Sequence, residues 1–191
     1  MGELRKKIIY GCMFVLVATA FYYGYTYRKM SFATTAVTTG FVPYDDQRDR
    51  AFIKKLFKED WYLLMADPNG DIDFVFSTRS PNPREPKYFG KMDITMLFEN
   101  SEPVGVVTYY MQSLVLGRIL FLVVDKKFRA KRYGEKLLHY AFDKLKQKGA
   151  TSVKLFVRSA NTSARKLYER VGFQEAEPEP HSLGLWYRKK L

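Results

Sequence analysis

Residues 119–149, "ILFLVVDKKFRAKRYGEKLLHYAFDKLKQKG", decide the fold. The run opens with six apolar residues, 119–124. A strand that is apolar on both faces belongs in the middle of a sheet. Beyond it, Leu137, Leu138, Ala141, Phe142 and Leu145 form one helical stripe, which predicts a helix from Glu135 to Lys148, entered near Gly134 and stopped by Gly149. The turn between strand and helix, residues 125–133, is rich in basic side chains. The first N–H groups of a helix lack internal partners and carry partial positive charge. A basic turn placed before them makes an anion cradle, and Gly134 lets the backbone approach a bulky phosphate closely. The expected ligand is a phosphorylated compound held mainly by backbone.

Reading outward, "DQRDRAFIKKLFKEDWYLLM" (46–65) has Phe52, Ile53, Leu56, Phe57 and Trp61 at helical spacing, opposite a charged face. "STRSPNPREPKYFG" (77–90) carries three prolines and reads as a loop. "MDITMLFEN" and "VGVVTYYMQS", separated by "SEP", read as an antiparallel hairpin. "SVKLFVR" (152–158) and "SLGLWYRKK" (182–190) are further strands. Between them Asn161 or Thr162 caps a short helix with Ala164, Leu167, Tyr168 and Val171 on one face, ended by Gly172. The order predicts an α/β (α+β) domain: a mixed, mostly antiparallel sheet with helices on both faces.

At this point the chain resembles the GNAT acetyltransferase superfamily. There, a central strand leads into R/Q-x-x-G-x-G/A and a helix, and the turn holds the pyrophosphate of acetyl-CoA. The matching residues are Arg129, Ala130, Lys131, Arg132, Tyr133 and Gly134, with Glu135 next in the helix. Downstream, "NTSARKLYERVGF" (161–173) is similar to the family's N-x-x-A-x-x-L-Y-x-x-x-G-F. The two signatures stand in the family's order, bridged by a helix and a strand, and the likeness is tight over 118–173. More loosely it reaches back to residue 41, where "FVPYDD" and the helix after it look like the family's opening elements. The resemblance implies a GNAT-like acyl-CoA N-acyltransferase fold, with acetyl-CoA as co-substrate and Asn161 and Ala164 in its binding set. One departure stands out. Arg132 occupies the position usually held by the motif's first glycine. At positive φ an arginine costs on the order of 1 kcal/mol or more. At helical φ it is harmless and its side chain can reach a phosphate.

The implied chemistry is attack of an amine on a thioester carbonyl. Backbone N–H groups around Leu122, Val123 and Val124 are placed to stabilise charge on the carbonyl oxygen. The departing thiolate gains from a proton donor, and a tyrosine of pKa about 10 suits it. The resemblance gives that role to Tyr168; from spacing alone Tyr168 is a core aromatic. No general base is assigned: Asp125, Glu99, Glu102, His139 and His181 are the candidates. The acceptor is not given either, although the 77–90 loop and "VTYYMQ" are placed to shape its pocket.

Composition bounds the alternatives. The chain has 191 residues, 16% aromatic, enough for one domain with a sizeable core plus an appendage. A net charge of +12 favours acidic partners, but no zinc spacing, RNA-binding aromatic signature or groove-fitting basic helix is present, so no specific nucleic-acid partner is expected. A single cysteine, Cys12, excludes an internal disulfide framework, and two histidines make a histidine-rich metal site implausible. Residues 8–27, "IIYGCMFVLVATAFYYGYTY", carry no charge and follow Arg5, Lys6 and Lys7. As a helix they span roughly 30 Å, enough to cross a bilayer. "ATA" at 18–20 leaves a cleaved signal peptide as the rival reading. The expected organisation is a basic flank and membrane anchor over 1–29, a linker over 30–40 and a catalytic domain over 41–191. Basic residues flank both ends of the apolar run, so orientation is open; acetyl-CoA chemistry requires the domain of this single-pass protein to face the cytosol. Two other classes of function remain: a non-catalytic GNAT-like module that binds CoA, and a membrane-associated interaction module whose basic face reads anionic lipid.

Overall fold

The computed structural model of the chain describes residues 39–64, 73, 76, 89–176 and 183–191. The chain divides into two compact units, Met1–Ala36 and Val37–Leu191, and every described residue belongs to the second. Strand β1 (Gly40–Pro43) is followed by α1 (Asp46–Leu64), β2 (Phe89–Glu99), β3 (Glu102–Met111) and β4 (Leu116–Val124). A 3-10 turn (Lys126–Phe128) leads to α2 (Tyr133–Gln147), then β5 (Ser152–Arg158), α3 (Thr162–Arg170), β6 (Gln174–Glu175) and β7 (Gly184–Lys190).

The strands form one sheet in the order β1-β2-β3-β4-β5-β7-β6, so β4 lies at its centre as the apolar run predicts. Every pairing is antiparallel except β4 with β5. A parallel pair requires a crossover, and α2 supplies it. Helices cover both faces. Ile53, Leu56 and Phe57 of α1 are fully buried against Met92, Ile94, Met96, Val106, Phe121 and Val123. On the other face, Leu137, Leu138, Ala141 and Leu145 of α2 and Tyr168 of α3 pack on Val107, Ile119, Val153, Leu155 and Tyr187. The mixed, mostly antiparallel sheet with helices on both faces is therefore the fold of the chain.

Local chemistry fixes the element ends. Asp45 caps α1 by accepting the Arg48 N–H at 2.9 Å, and buried Asp49 reaches back to the Asp45 N–H at 2.9 Å. The hairpin turn lies one step earlier than "SEP" suggests. Asn100 (φ 49°) and Ser101 (φ 63°) are its two central residues, and Glu102 and Pro103 already belong to β3. Two consecutive positive φ angles match the right-handed twist of the flanking strands. In α3, Asn161 is the cap, accepting the Ala164 N–H at 3.1 Å, and Gly172 (φ 88°) ends the helix.

The expectation of a membrane protein is corrected. Among the described residues no helix is long and apolar enough to cross a membrane. α1, with 19 residues, is long enough but carries Arg50, Lys54, Lys55, Lys58 and Glu59 through its length. The anchor expected over 8–27, and with it the membrane partner and single-pass placement, lies outside the described residues. So do most of the 77–90 loop and His181.

Candidate functional site

The site begins where the central strands part. β4 and β5 pair only at Leu116 with Ser152, Gly117 with Val153 and Arg118 with Lys154. Past Arg118 the β5-facing edge of β4 has no partner strand among the described residues. On the other edge the register with β3 slips at Thr108 and Tyr109, which face Phe121 and Ile119, so Leu120 is an inserted bulge residue. Thr108, fully buried, accepts the Phe121 N–H on its hydroxyl at 2.9 Å and satisfies the backbone there. The bulge shifts the alternation of β4: Ile119 packs on the α2 side, Phe121 and Val123 on the α1 side, and Leu122 and Val124 again on the α2 side.

A cavity of about 690 Å³ fills the opening. Leu122, Val123, Val124, Arg129, Ala130, Arg132, Tyr133, Gly134 and Glu135 line it from the central strand and turn; Asn161, Ala164 and Tyr168 line it from the cap and body of α3. Of the strand-end, turn and α3 residues given a cofactor-binding or catalytic role from sequence, Lys131 alone is not in the lining. Its ammonium lies 5.6 Å from the centre of the Phe128 ring.

The turn is built from backbone that L-residues rarely adopt. Ala130 has φ 62° and Arg132 has φ 61°, ψ 15°. Two left-handed residues separated by one other curl successive N–H groups toward a common side, the geometry of an anion nest. The helix adds its own: the Lys136 N–H bonds the Arg132 carbonyl at 3.1 Å, and the N–H groups before it have no intrahelical acceptor. Of the two alternatives for Arg132, the positive φ is realised. The arginine caps α2 without a side-chain hydrogen bond, and its side chain is exposed at the cavity. Gly134 makes room for α3: a Cβ there would stand 3.0 Å from Leu167 Cδ2.

Arg129 is already engaged. Its Nε donates to the Val124 carbonyl at 3.0 Å and its Nη2 pairs with Asp60, which lies at the one non-helical residue of α1 (φ −121°, ψ 21°). Asp60 lines the cavity and was not expected from sequence, because nothing in the spacing of α1 marks a kink. Lys166 and Arg170 were also missed. They lie one turn apart on the helix after the Asn161 cap, a spacing that a search for cations facing the cradle would find. The Arg170 guanidinium stands 3.7 Å from Glu135, linking α3 to the first turn of α2.

Tyr168 is 7% exposed, packed edge-on against Phe173 at 5.8 Å. Burial pushes its phenol well above the usual tyrosine value, so the hydroxyl stays protonated at neutral pH. The core reading and the cavity reading both apply, since the ring packs in the core and the residue also lines the cavity.

The candidate bases do not converge on the cavity. For Asp125, burial favours the neutral form, but the Lys127 N–H and the Lys55 ammonium, 2.9 Å from the carboxylate, outweigh it and hold the carboxyl below its ordinary value. Asp125 therefore braces the strand end. Burial, with the charge of nearby Glu99, raises the Tyr133 phenol above its ordinary value, and Glu102 pairs with Lys127 at 3.0 Å. His139 is exposed on α2 against Phe142. Among the described residues no cluster suits a metal ion.

This arrangement has counterparts. The acetyltransferase (GNAT) family profile matches residues 51–173, and the chain belongs to that family. It is 42% identical over 65 residues to the ribosomal protein bS18-alanine N-acetyltransferase of Haemophilus ducreyi, a match covering 34% of this chain and 45% of that protein. The chain spans less than half the length of the curated relatives that it matches. Among solved structures, an acetyltransferase from Streptococcus agalactiae superposes with a TM-score of 0.62 at 16% identity, covering 81% of this chain and 99% of that one. A GNAT family acetyltransferase from Elizabethkingia anophelis, solved with acetyl-CoA bound, gives 0.56 at 17% identity over 81% and 99% of the two chains. The fold is that of GNAT-type acetyltransferases.

Proposed function

We propose that the protein transfers the acetyl group of acetyl-CoA to a primary amine. The observation that carries this reading is the parting of β4 and β5 over a cavity that joins an anion nest to a buried, protonated tyrosine. The diphosphate of the co-substrate takes the N–H groups at residues 130–135 and the field of the α2 N-terminus. Arg132, Lys166 and Arg170 supply charge around it. The thioester arm runs along the open edge of β4, where unpaired backbone groups replace a neighbouring strand. The neutral amine attacks the carbonyl carbon, and charge gathers on the carbonyl oxygen beside the backbone of Leu122, Val123 and Val124. As the C–S bond breaks, the Tyr168 hydroxyl donates its proton to the departing sulfur. The amine proton leaves to solvent.

The test is free-thiol release by the full chain with acetyl-CoA against a panel of amines and peptides, with calorimetry of CoA binding. Gly134→Asp adds bulk against Leu167 and a negative charge in the nest, and is expected to cost at least about tenfold in CoA affinity. Unchanged CoA affinity in a folded Gly134→Asp protein would remove the cradle, and wild-type protein that binds CoA without turning over any amine would remove the transferase.

A further inference from the structure

Asp49, Ile53, Leu56 and Phe57 are the buried residues of α1, and the next position on that inward stripe is Asp60. Asp49 serves the helix cap. Asp60 has no such use: it lies near the C-terminal end of the helix, where the helix field disfavours a carboxylate. Its side chain is only 12% exposed, and its Oδ2 pairs with Nη2 of Arg129. A largely buried ion pair is often no more stable than two hydrophobic side chains of similar volume, so stability alone does not account for an acid here. The pairing engages one of the two carboxylate oxygens. Oδ1 accepts no hydrogen bond among the described residues, and Asp60 lines the cavity.

The end of α1 is tied to both of the parted strands. Arg129 also donates from Nε to the Val124 carbonyl at 3.0 Å, so one guanidinium spans from Asp60 to the last residue of β4. Arg158, the last residue of β5, donates from Nη1 to the Tyr62 carbonyl at 3.0 Å. α1 bends at Asp60, and Leu63 and Leu64 beyond the bend line the cavity with it. The lining is therefore sorted by charge. From the turn and α3 come the nest N–H groups, Arg132, Lys166 and Arg170, and the one carboxylate on that side, Glu135, stands 3.7 Å from Arg170. From α1 come a carboxylate and two leucines.

We propose that Asp60 docks the acceptor, and that the α1 end of the cavity selects a primary ammonium joined to an apolar body. An alkyl amine has a pKa of about 10 and arrives charged at neutral pH. A partly desolvated site has to meet that charge, and hydrogen bonds between charged partners are the strong ones. Oδ1 of Asp60 accepts an ammonium N–H while Oδ2 stays with Arg129, and the apolar body covers Leu63 and Leu64. The nitrogen is then held near the end of β4, where the thioester carbonyl lies under the proposed function, and loss of its proton to solvent frees it to attack. The inference rests on the acetyltransferase reading for calling the ligand an acceptor; the ammonium chemistry stands on the carboxylate and the leucines beside it.

The experiment uses the full chain, with and without CoA, and two probes of like shape, isopentylamine and isopentyl alcohol, which differ in the charged group alone. Methyl NMR of leucine-labelled protein reads both, and Leu63→Met and Leu64→Met assign the signals at the site. The amine is expected to shift those signals with at least about tenfold higher affinity than the alcohol. Asp60→Asn is expected to bring the two probes within about twofold of each other. That change leaves Arg129 without its partner, so a second variant removes both charges: Asp60→Leu with Arg129→Leu is expected to keep a cooperative thermal transition and to bind the two probes alike. Equal affinity for both probes in the wild type, no shift at either leucine, or an amine preference that survives in either variant would overturn the docking site. Calorimetry with CoA on the same samples separates the two readings: CoA binding without an amine preference overturns the docking site alone, and an amine preference in a wild type that binds no CoA keeps the ammonium site and overturns the transferase.

Discussion

Arg132→Gly is expected to make the protein more stable and worse at holding its co-substrate. Arg132 has φ 61° and ψ 15° at the cap of α2, with no side-chain hydrogen bond to hold it there. The left-handed region costs an L-residue about 1–2 kcal/mol. Glycine removes that cost but gives back about 0.5–1 kcal/mol by loosening the unfolded chain. The net expectation is a gain of up to about 1 kcal/mol, or roughly 2–4 °C in Tm for a domain of this size. Ligand binding moves the other way. Within the described structure the guanidinium has no internal partner, and it lies at the cavity beside the nest. Its loss is expected to weaken CoA about three- to tenfold and to flatten the dependence of affinity on salt, because one screened charge contact is gone. Arg132→Asn, which tolerates the left-handed region better than arginine, is expected to fall between the two in Tm. Thermal unfolding and CoA calorimetry at two salt concentrations decide the matter. A lowered Tm would refute the strain, and raised CoA affinity would refute the phosphate contact.

Three other outcomes follow from the same geometry. Tyr168→Phe keeps the packing on Phe173 and removes the proton donor; single-turnover transfer is expected to slow by about 10²–10⁴-fold at unchanged acetyl-CoA affinity, and a wild-type rate would return Tyr168 to the core alone. Thr108→Val takes the hydroxyl from the Phe121 N–H at the β4 bulge, and is expected to cost about 1–3 kcal/mol in chemical unfolding, an effect absent if the bulge simply relaxes. Burial raises the pKa of Tyr168, and desolvation raises that of Tyr109 to about 12. Both therefore stabilise the fold fully below the unfolded value near about 10 and lose that contribution as pH rises toward their folded values. Chemical unfolding between pH 9 and about 11.5 is expected to show stability level at first and then falling, less steeply in Tyr168→Phe.

Much of this was legible in the sequence because the signals were local. The apolar run at 119–124, the stripe from Leu137 to Leu145 and the Asn161 cap each specify an element through neighbours within a turn or a strand. The cradle and α3 residues follow from two short motifs at fixed spacing, and all but Lys131 line one cavity. What escaped depends on contacts between distant segments or on backbone that composition does not encode. The kink at Asp60 has no glycine or proline to announce it, and its pairing with Arg129 joins residues 69 positions apart. The bulge at Leu120 leaves no trace in an apolar run, because a one-residue slip among six apolar positions changes no hydrophobic pattern. The left-handed φ at Arg132 was visible only as the absence of an expected glycine. Glu102 and Asp125 read as candidate bases because sequence shows a carboxylate but not the lysines and backbone N–H that occupy it.

A break in the rules of stability marks the cavity. A left-handed arginine at the start of α2 is unfavourable on its own. It is not needed to close the fold, since glycine satisfies that turn better. It instead presents positive charge at the mouth of the cavity, without a side-chain hydrogen bond to the helix that it caps. An unfavourable feature of this kind persists where a ligand supplies the missing partner, since the free energy lost in the empty protein is recovered on binding. That fits a reaction in which an anionic co-substrate enters from the α2 side and meets its acceptor at the open edge of β4.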